Sequence, residues 1–175
     1  MKVGLDLIKK LRELTSASFS DCRKVLEDAG QDLDKAILLL RKRGMEIAQE
    51  KKGRLAKEGR IEAYVHLGNK IGVLVEVNCE TDFVARNEDF CRFTKDLAMQ
   101  IAALNPQYIN KEDVPKVEVK NHKDDLDEFY KNNCLMEQAF IKDPNIMIKD
   151  YLTSLIAKIG ENIVIRRFIR YSLGG

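Results

Sequence analysis

Apolar side chains recur at helical spacing near the start of the chain, where Leu5, Leu7, Ile8, Leu11 and Leu14 predict a short amphipathic helix from about Gly4 to Leu14. Thr15-Ser16-Ala17-Ser18 interrupts the pattern, and Ser18 with Asp21 reads as a capping box for a second helix carrying Cys22, Val25, Leu26 and Ala29. Gly30 closes that helix and Asp32 caps a third, with Leu33, Ala36, Ile37 and Leu40 facing inward and Gly44 as its stop. Phe19, at the first loop, stands outside the helical stripe. It is either an exposed anchor or a lid on the bundle core. Residues 45–58 read as a charged, helix-prone connector.

From Gly59 the period changes to two. Ile61, Ala63 and Val65 alternate with Glu62, Tyr64 and His66, Leu67-Gly68-Asn69 turns the chain, and Lys70 to Val77 returns it as a hairpin. The apolar run Ile71 to Val77 continues through Asn78-Cys79-Glu80 into Thr81-Asp82-Phe83-Val84 without a Pro or Gly break. Two arrangements suit that junction. Asp82 caps a helix whose Phe83 is buried, or Asp82 and Phe83 form a rigidly mounted tip. Asn87-Glu88-Asp89 then starts a helix with Phe90, Phe93, Leu97, Ala98, Ile101 and Ala102 buried, ended by Asn105-Pro106.

Further on, Glu112-Asp113-Val114-Pro115 is turn chemistry, 117–133 is a surface helix or a long excursion, and Leu135 to Phe140 is a short apolar segment closed by Lys142-Asp143-Pro144. Asn145 is expected to cap a helix with Ile148, Tyr151, Leu152, Leu155, Ile156 and Ile159 inward, ended by Gly160. Ile163 to Tyr171 returns as a strand whose Arg166, Arg167 and Arg170 do not share one face, as befits a sheet edge or an interface. The expected fold class is α+β. A three-helix module (1–45) and a charged linker (46–58) precede a core (59–175) of a small antiparallel sheet packed with helices.

Composition narrows the function. With 45% hydrophobic and 33% charged residues, the 175-residue chain reads as a globular protein, and no apolar run approaches the ~20 residues of a membrane helix. The start has neither a signal-peptide core nor a transit pattern, so a cytoplasmic location is expected. Thirty basic against twenty-eight acidic residues leave a net charge of +2, which does not announce a nucleic-acid binder. The basic positions between Arg41 and Arg60 suit an acidic protein surface, phosphates or simply a solvated helix face. Cys22, Cys79, Cys91 and Cys134 form no Cys-x-x-Cys pair, and His66 and His122 lack ligand spacing, so no metal site is expected and the thiols read as reduced. Nucleotide-binding, zinc-protease and nucleophile-elbow motifs are absent. The nearest acid–histidine pairing is Glu62 with His66, sharing one strand face and expected to be exposed. A binding protein is favoured over an enzyme.

The amino-terminal pattern resembles a UBA-like three-helix module, in which the loop between the first two helices commonly serves as a protein-binding edge. More specifically, Glu76-Val77-Asn78-Cys79-Glu80-Thr81-Asp82-Phe83-Val84-Ala85 resembles the signature of the bacterial translation elongation factor Ts family. The resemblance extends in order through Leu11-Arg12-Glu13-Leu14-Thr15, Asp21 to Leu26, Tyr64-Val65-His66, Gly72 to Val75, Glu112 to Pro115, Gln138-Ala139-Phe140, Gly160 to Ile163 and Arg166-Arg167-Phe168. It implies a guanine-nucleotide exchange factor for elongation factor Tu, without a cofactor of its own and without membrane or direct nucleic-acid contact. On that basis Thr81, Asp82, Phe83 and Val84 would displace the partner's Mg²⁺ and release GDP, while Arg12, Phe19, Ser20 and Arg23 of the first module would dock on the GTPase domain.

Two departures stand out. The family's usual Gly-Ala-Gly and methionines are replaced by Ser16-Ala17-Ser18 and Phe19-Ser20, and serine lacks glycine's backbone freedom. Only one core copy is present, which by family analogy implies a homodimer, with the arginine-bearing terminal strand as the expected contact. The other reading is a UBA-like protein-interaction adaptor without exchange activity.

Overall fold

The computed structural model describes residues 3–15 and 17–174. Ser16 of the first loop lies outside them. The chain divides into two compact units, Met1–Arg54 with Thr153–Asn162, and Leu55–Leu152 with Ile163–Gly175. It is mixed α+β, with helices at the amino terminus and small antiparallel sheets packed against helices further on.

In the first unit, α1 (Leu5–Thr15), α2 (Phe19–Asp28) and α3 (Leu33–Lys51) enclose a core of Ile8, Leu11, Cys22, Val25, Leu26 and Ala36. Leu33, Ile37 and Leu40 are partly buried against it, whereas Leu5 and Leu14 end up exposed. The Ser18 hydroxyl accepts from the Asp21 amide at 3.1 Å and donates to its carboxylate at 2.6 Å. Asp32 accepts from the Lys35 amide. Both are the caps expected. Gly44 does not stop α3, which continues through it to Lys51. One mid-helix glycine costs only about 1 kcal/mol against alanine, and the helix-prone residues 45–51 carry the helix past it.

In the second unit, β1 (Glu58–Val65), β2 (Ile71–Cys79) and β5 (Val164–Ser172) form an antiparallel sheet in the order β1-β2-β5. Val73, Val75 and Val77 of β2 are buried on the inner face, as are Phe90, Phe93, Leu97 and Ile101 of α5 (Glu88–Leu104). Between them, along the chain, lies α4 (Asp82–Ala85), a single turn.

Strand β1 turns its polar set toward the inner face. Its apolar set faces out, with Ile61 65% and Val65 62% exposed, while Arg60, Glu62 and Tyr64 are half-buried on the other side. Glu62 and His66 accordingly do not pair. Glu62 holds Arg60, and His66 Nδ1 lies 3.0 Å from the Tyr64 hydroxyl.

The excursion contains two short helices, α6 (Lys116–Asn121) and α7 (Leu126–Asn133), followed by a two-stranded ribbon of β3 (Ala139–Phe140) and β4 (Asp143–Met147). Asn145 is therefore a strand residue bonded to Asp143, and α8 (Ile148–Ile159) begins later. Buried polar groups fasten this return to α5. Gln100 donates to Gln138 and to the Ala139 carbonyl and accepts from the Ile141 amide, while Asp96 takes Lys142 at 2.6 Å and the Tyr151 hydroxyl at 3.0 Å. Each such group needs its partner, because an unpaired buried one costs about 1–3 kcal/mol.

Strand β5 is an edge, as its arginines suggested, and it carries a bulge. Val77 pairs with Ile165 but Glu76 with Arg167, so Arg166 is the extra residue. Among the described residues no helix is long and apolar enough to cross a membrane.

Candidate functional site: the tip between β2 and α5

Strand β2 ends at Cys79, which is fully buried and donates its thiol proton to the Thr81 carbonyl at 3.2 Å. Thr81 is extended (φ −127°, ψ 154°), and the chain then makes the one turn of α4. Amide bonds from Ala85 to Thr81, Arg86 to Phe83 and Asn87 to Val84 close it. Asn87 at once caps α5, its side-chain oxygen accepting from the Asp89 and Phe90 amides. The turn is thus fixed at both ends by groups belonging to regular elements.

On this mount Phe83 projects with 81% of its surface exposed, so of the two arrangements the exposed tip is the one present. Asp82 is the first helical residue, not the cap. Its carboxylate is half-buried and paired with the guanidinium of Arg86 one turn on. Val84 is half-buried and Thr81 exposed. Thr81 to Val84 therefore form one surface feature.

Behind the tip lies a group that the residue pattern did not announce. Arg60 of β1 donates to the Cys91 sulfur at 3.0 Å and to Glu62 at 2.9 Å. Cys91 points its thiol at the Ala85 carbonyl, 3.6 Å away, and Thr94 Oγ1 lies 3.3 Å from Glu62. Arg60 and Cys91 are 31 residues apart, and only the strand–helix packing brings them together. The Asp82–Arg86 pair, in contrast, is legible as an i,i+4 spacing.

The amino-terminal candidates lie on α1 and α2. Arg12 donates to the Ala17 carbonyl, Phe19 is the first residue of α2 and 45% exposed, Ser20 is exposed, and Arg23 pairs with Glu27. Phe19 is not among the residues of the bundle core. Among the described residues no group of three or more His, Cys, Asp or Glu is arranged to hold a metal ion.

The model for the family described as Elongation factor TS matches residues 7–126. A protein named Elongation factor Ts from Carboxydothermus hydrogenoformans is 47% identical, over 96% of this chain and 88% of its own length. One of the same name from Caldanaerobacter subterraneus subsp. tengcongensis is also 47% identical, over 98% and 97%. A third, from Herpetosiphon aurantiacus, is 44% identical over 99% of both. The matched spans take in the tip, the sheet and the helical module, and the chain belongs to the elongation factor Ts family of translation elongation factors.

Proposed function

We propose that this protein binds elongation factor Tu in the cytoplasm, displaces its Mg²⁺ and thereby releases GDP during translation elongation, acting by binding and not by covalent chemistry. The observation that carries the reading is the exposure of Phe83 on a turn locked between β2 and α5. A large aromatic held out in water forgoes about 2 kcal/mol that burial in a partner would return. Mg²⁺ demands near-ideal octahedral oxygen ligation, so displacing one of its ligands by a wedge of this size weakens it sharply. Asp82, paired with Arg86, stands beside the wedge, and Thr81 and Val84 complete its flanks. The tip accounts for a modest share of the coupling, since about 1.4 kcal/mol is needed for each tenfold in affinity. Docking by Arg12, Phe19, Ser20 and Arg23 supplies further binding. Because coupling is reciprocal, GDP weakens the factor's hold by the same ratio. Direct nucleic-acid contact has no part in this scheme.

The self-associating form belongs to the same proposal. The outer face of the sheet carries Ile61, Ala63 and Val65 of β1, Leu74 of β2, and Ile169 and Tyr171 of β5, cross-strand neighbours in register. A second copy offers the same face, as a two-fold interface requires.

The experiment is release of a fluorescent GDP analogue from purified elongation factor Tu, with this protein and with Phe83→Ala. Acceleration by the unmodified chain, cut roughly tenfold in the variant with complex formation retained, is the expected result. Absence of acceleration would return the adaptor reading to first place.

A further inference from the structure

We propose that Arg60 and Cys91 are positioning residues for the tip: a line of polar contacts from β1 through the first turn of α5 sets where Phe83 stands. The inference rests on the exchange reading. Ala85 is the last residue of α4, and the carbonyls at the end of so short a helix have no intrahelical partner. The Cys91 thiol points at that carbonyl, 3.6 Å away. The sulfur in turn accepts from Arg60 Nη1 at 3.0 Å, and Arg60 Nη2 is held by Glu62 at 2.9 Å. Glu62, whose side chain is 12% exposed, is steadied by Thr94 Oγ1 at 3.3 Å. The single Thr94 hydroxyl proton is shared with the Cys91 carbonyl, the nearer acceptor at 2.9 Å, which ties the same helical turn into the line.

Two features set this arrangement apart from ordinary core packing. First, within the single chain β1 turns Arg60 and Glu62 inward and Ile61 and Val65 outward, so inner-face positions go to an ion pair and not to the strand's apolar side chains. Second, the buried Nε of Arg60 has no hydrogen-bond partner, so the guanidinium is placed for its two outer nitrogens at the expense of the third. The group these two nitrogens serve ends at the tip. Arg60 and Cys91 act through Phe83 and Asp82, by fixing the turn that carries them. Displacement of a reacting or wedging group by about 1 Å is enough to lose up to a hundredfold in rate.

The test uses the full chain, elongation factor Tu loaded with a fluorescent GDP analogue, and Cys91→Ala, which leaves the Arg60–Glu62 pair intact. The maximal release rate is expected to fall roughly fivefold, within the range that misplacement allows, while the half-saturating concentration stays within about twofold. In a Phe83→Ala background the same substitution should change nothing further, because there is no wedge left to misplace. An Arg60→Met variant combined with Glu62→Gln, which leaves no carboxylate unpaired, should reproduce the loss. An unchanged maximal rate in Cys91→Ala, or an equal loss with and without Phe83, would overturn the inference while leaving the exchange reading intact. If the unmodified chain does not accelerate release at all, the exchange reading falls and this inference with it.

Discussion

Phe83 and Phe90 stand seven residues apart with opposite fates, 81% exposed and fully buried. Nothing in the residue type separates them. The difference is local, because Phe90 lies on the inner stripe of a long helix and Phe83 on the outward side of a single turn. Resemblance made the tip legible; residue types alone favoured the capped helix with a buried Phe83. Arg60 and Cys91 were not legible at all, since their meeting depends on the register of β1 over α5. Cys134 makes a residue-scale prediction about stability. Burial pushes its thiol up from 9.0 to about 11, so the unfolded chain loses this proton at lower pH than the folded one. The folded-state advantage is complete below pH 9 and disappears as pH climbs from about 9 to about 11. Urea unfolding at pH 8 and pH 10 should therefore show a smaller loss of stability in Cys134→Ala than in the unmodified chain. Equal losses would mean that this thiol is solvated.

At the scale of elements, periodicity identified the main helices and strands, misjudged where some begin or end, and left the facing of β1 open. Alternation in 58–65 fixes which side chains share a face, but not which face meets α5. The answer came from the neighbours, where Val75 and Val77 already fill the inner layer of β2 and leave β1 to supply the polar contacts behind the tip. Gly44 and Asn145 were overridden for related reasons, the first by strong helix formers after it, the second by ribbon pairing of β3 with β4. Gly59 shows the opposite case, in which a glycine is dictated by the element. It opposes Asn78 at φ 144°, and a Cβ there would stand 2.2 Å from the Val77 carbonyl oxygen and 2.7 Å from Asn78 Cα. Both obstacles are backbone and cannot step aside. Gly59→Ala should cost roughly 2 kcal/mol or more in urea unfolding. Unchanged stability would mean that the end of β1 can part from β2 without consequence.

For the whole molecule the outer sheet face is the feature most in need of a partner. Ala63, Leu74 and Ile169 form one row across three strands, with Val65, Gly72 and Tyr171 as the next, and at the far side Glu76 pairs with Arg167 at 2.7 Å. That guanidinium holds the Glu76 carboxyl below its ordinary range, so the pair remains charged at neutral pH and marks the polar rim of the patch. A contiguous apolar face of this kind is rare on a protein that works alone. Leu74 sits at its centre, 48% exposed, so Leu74→Glu removes little from the single chain yet places a carboxylate inside any face-to-face pair. Light scattering at micromolar concentration should give twice 20.1 kDa for the unmodified protein and 20.1 kDa for Leu74→Glu, with an unchanged circular dichroism spectrum. The melting temperature of the unmodified protein should also rise with concentration, and that of the variant should not, because association stabilises by mass action. A unit mass for the unmodified chain would reject self-association, and a doubled mass in the variant would move the contact to another surface. Either result would reopen the question of why β1 turns Ile61 and Val65 to water, since the polar line behind the tip would then be the sole return for leaving them exposed.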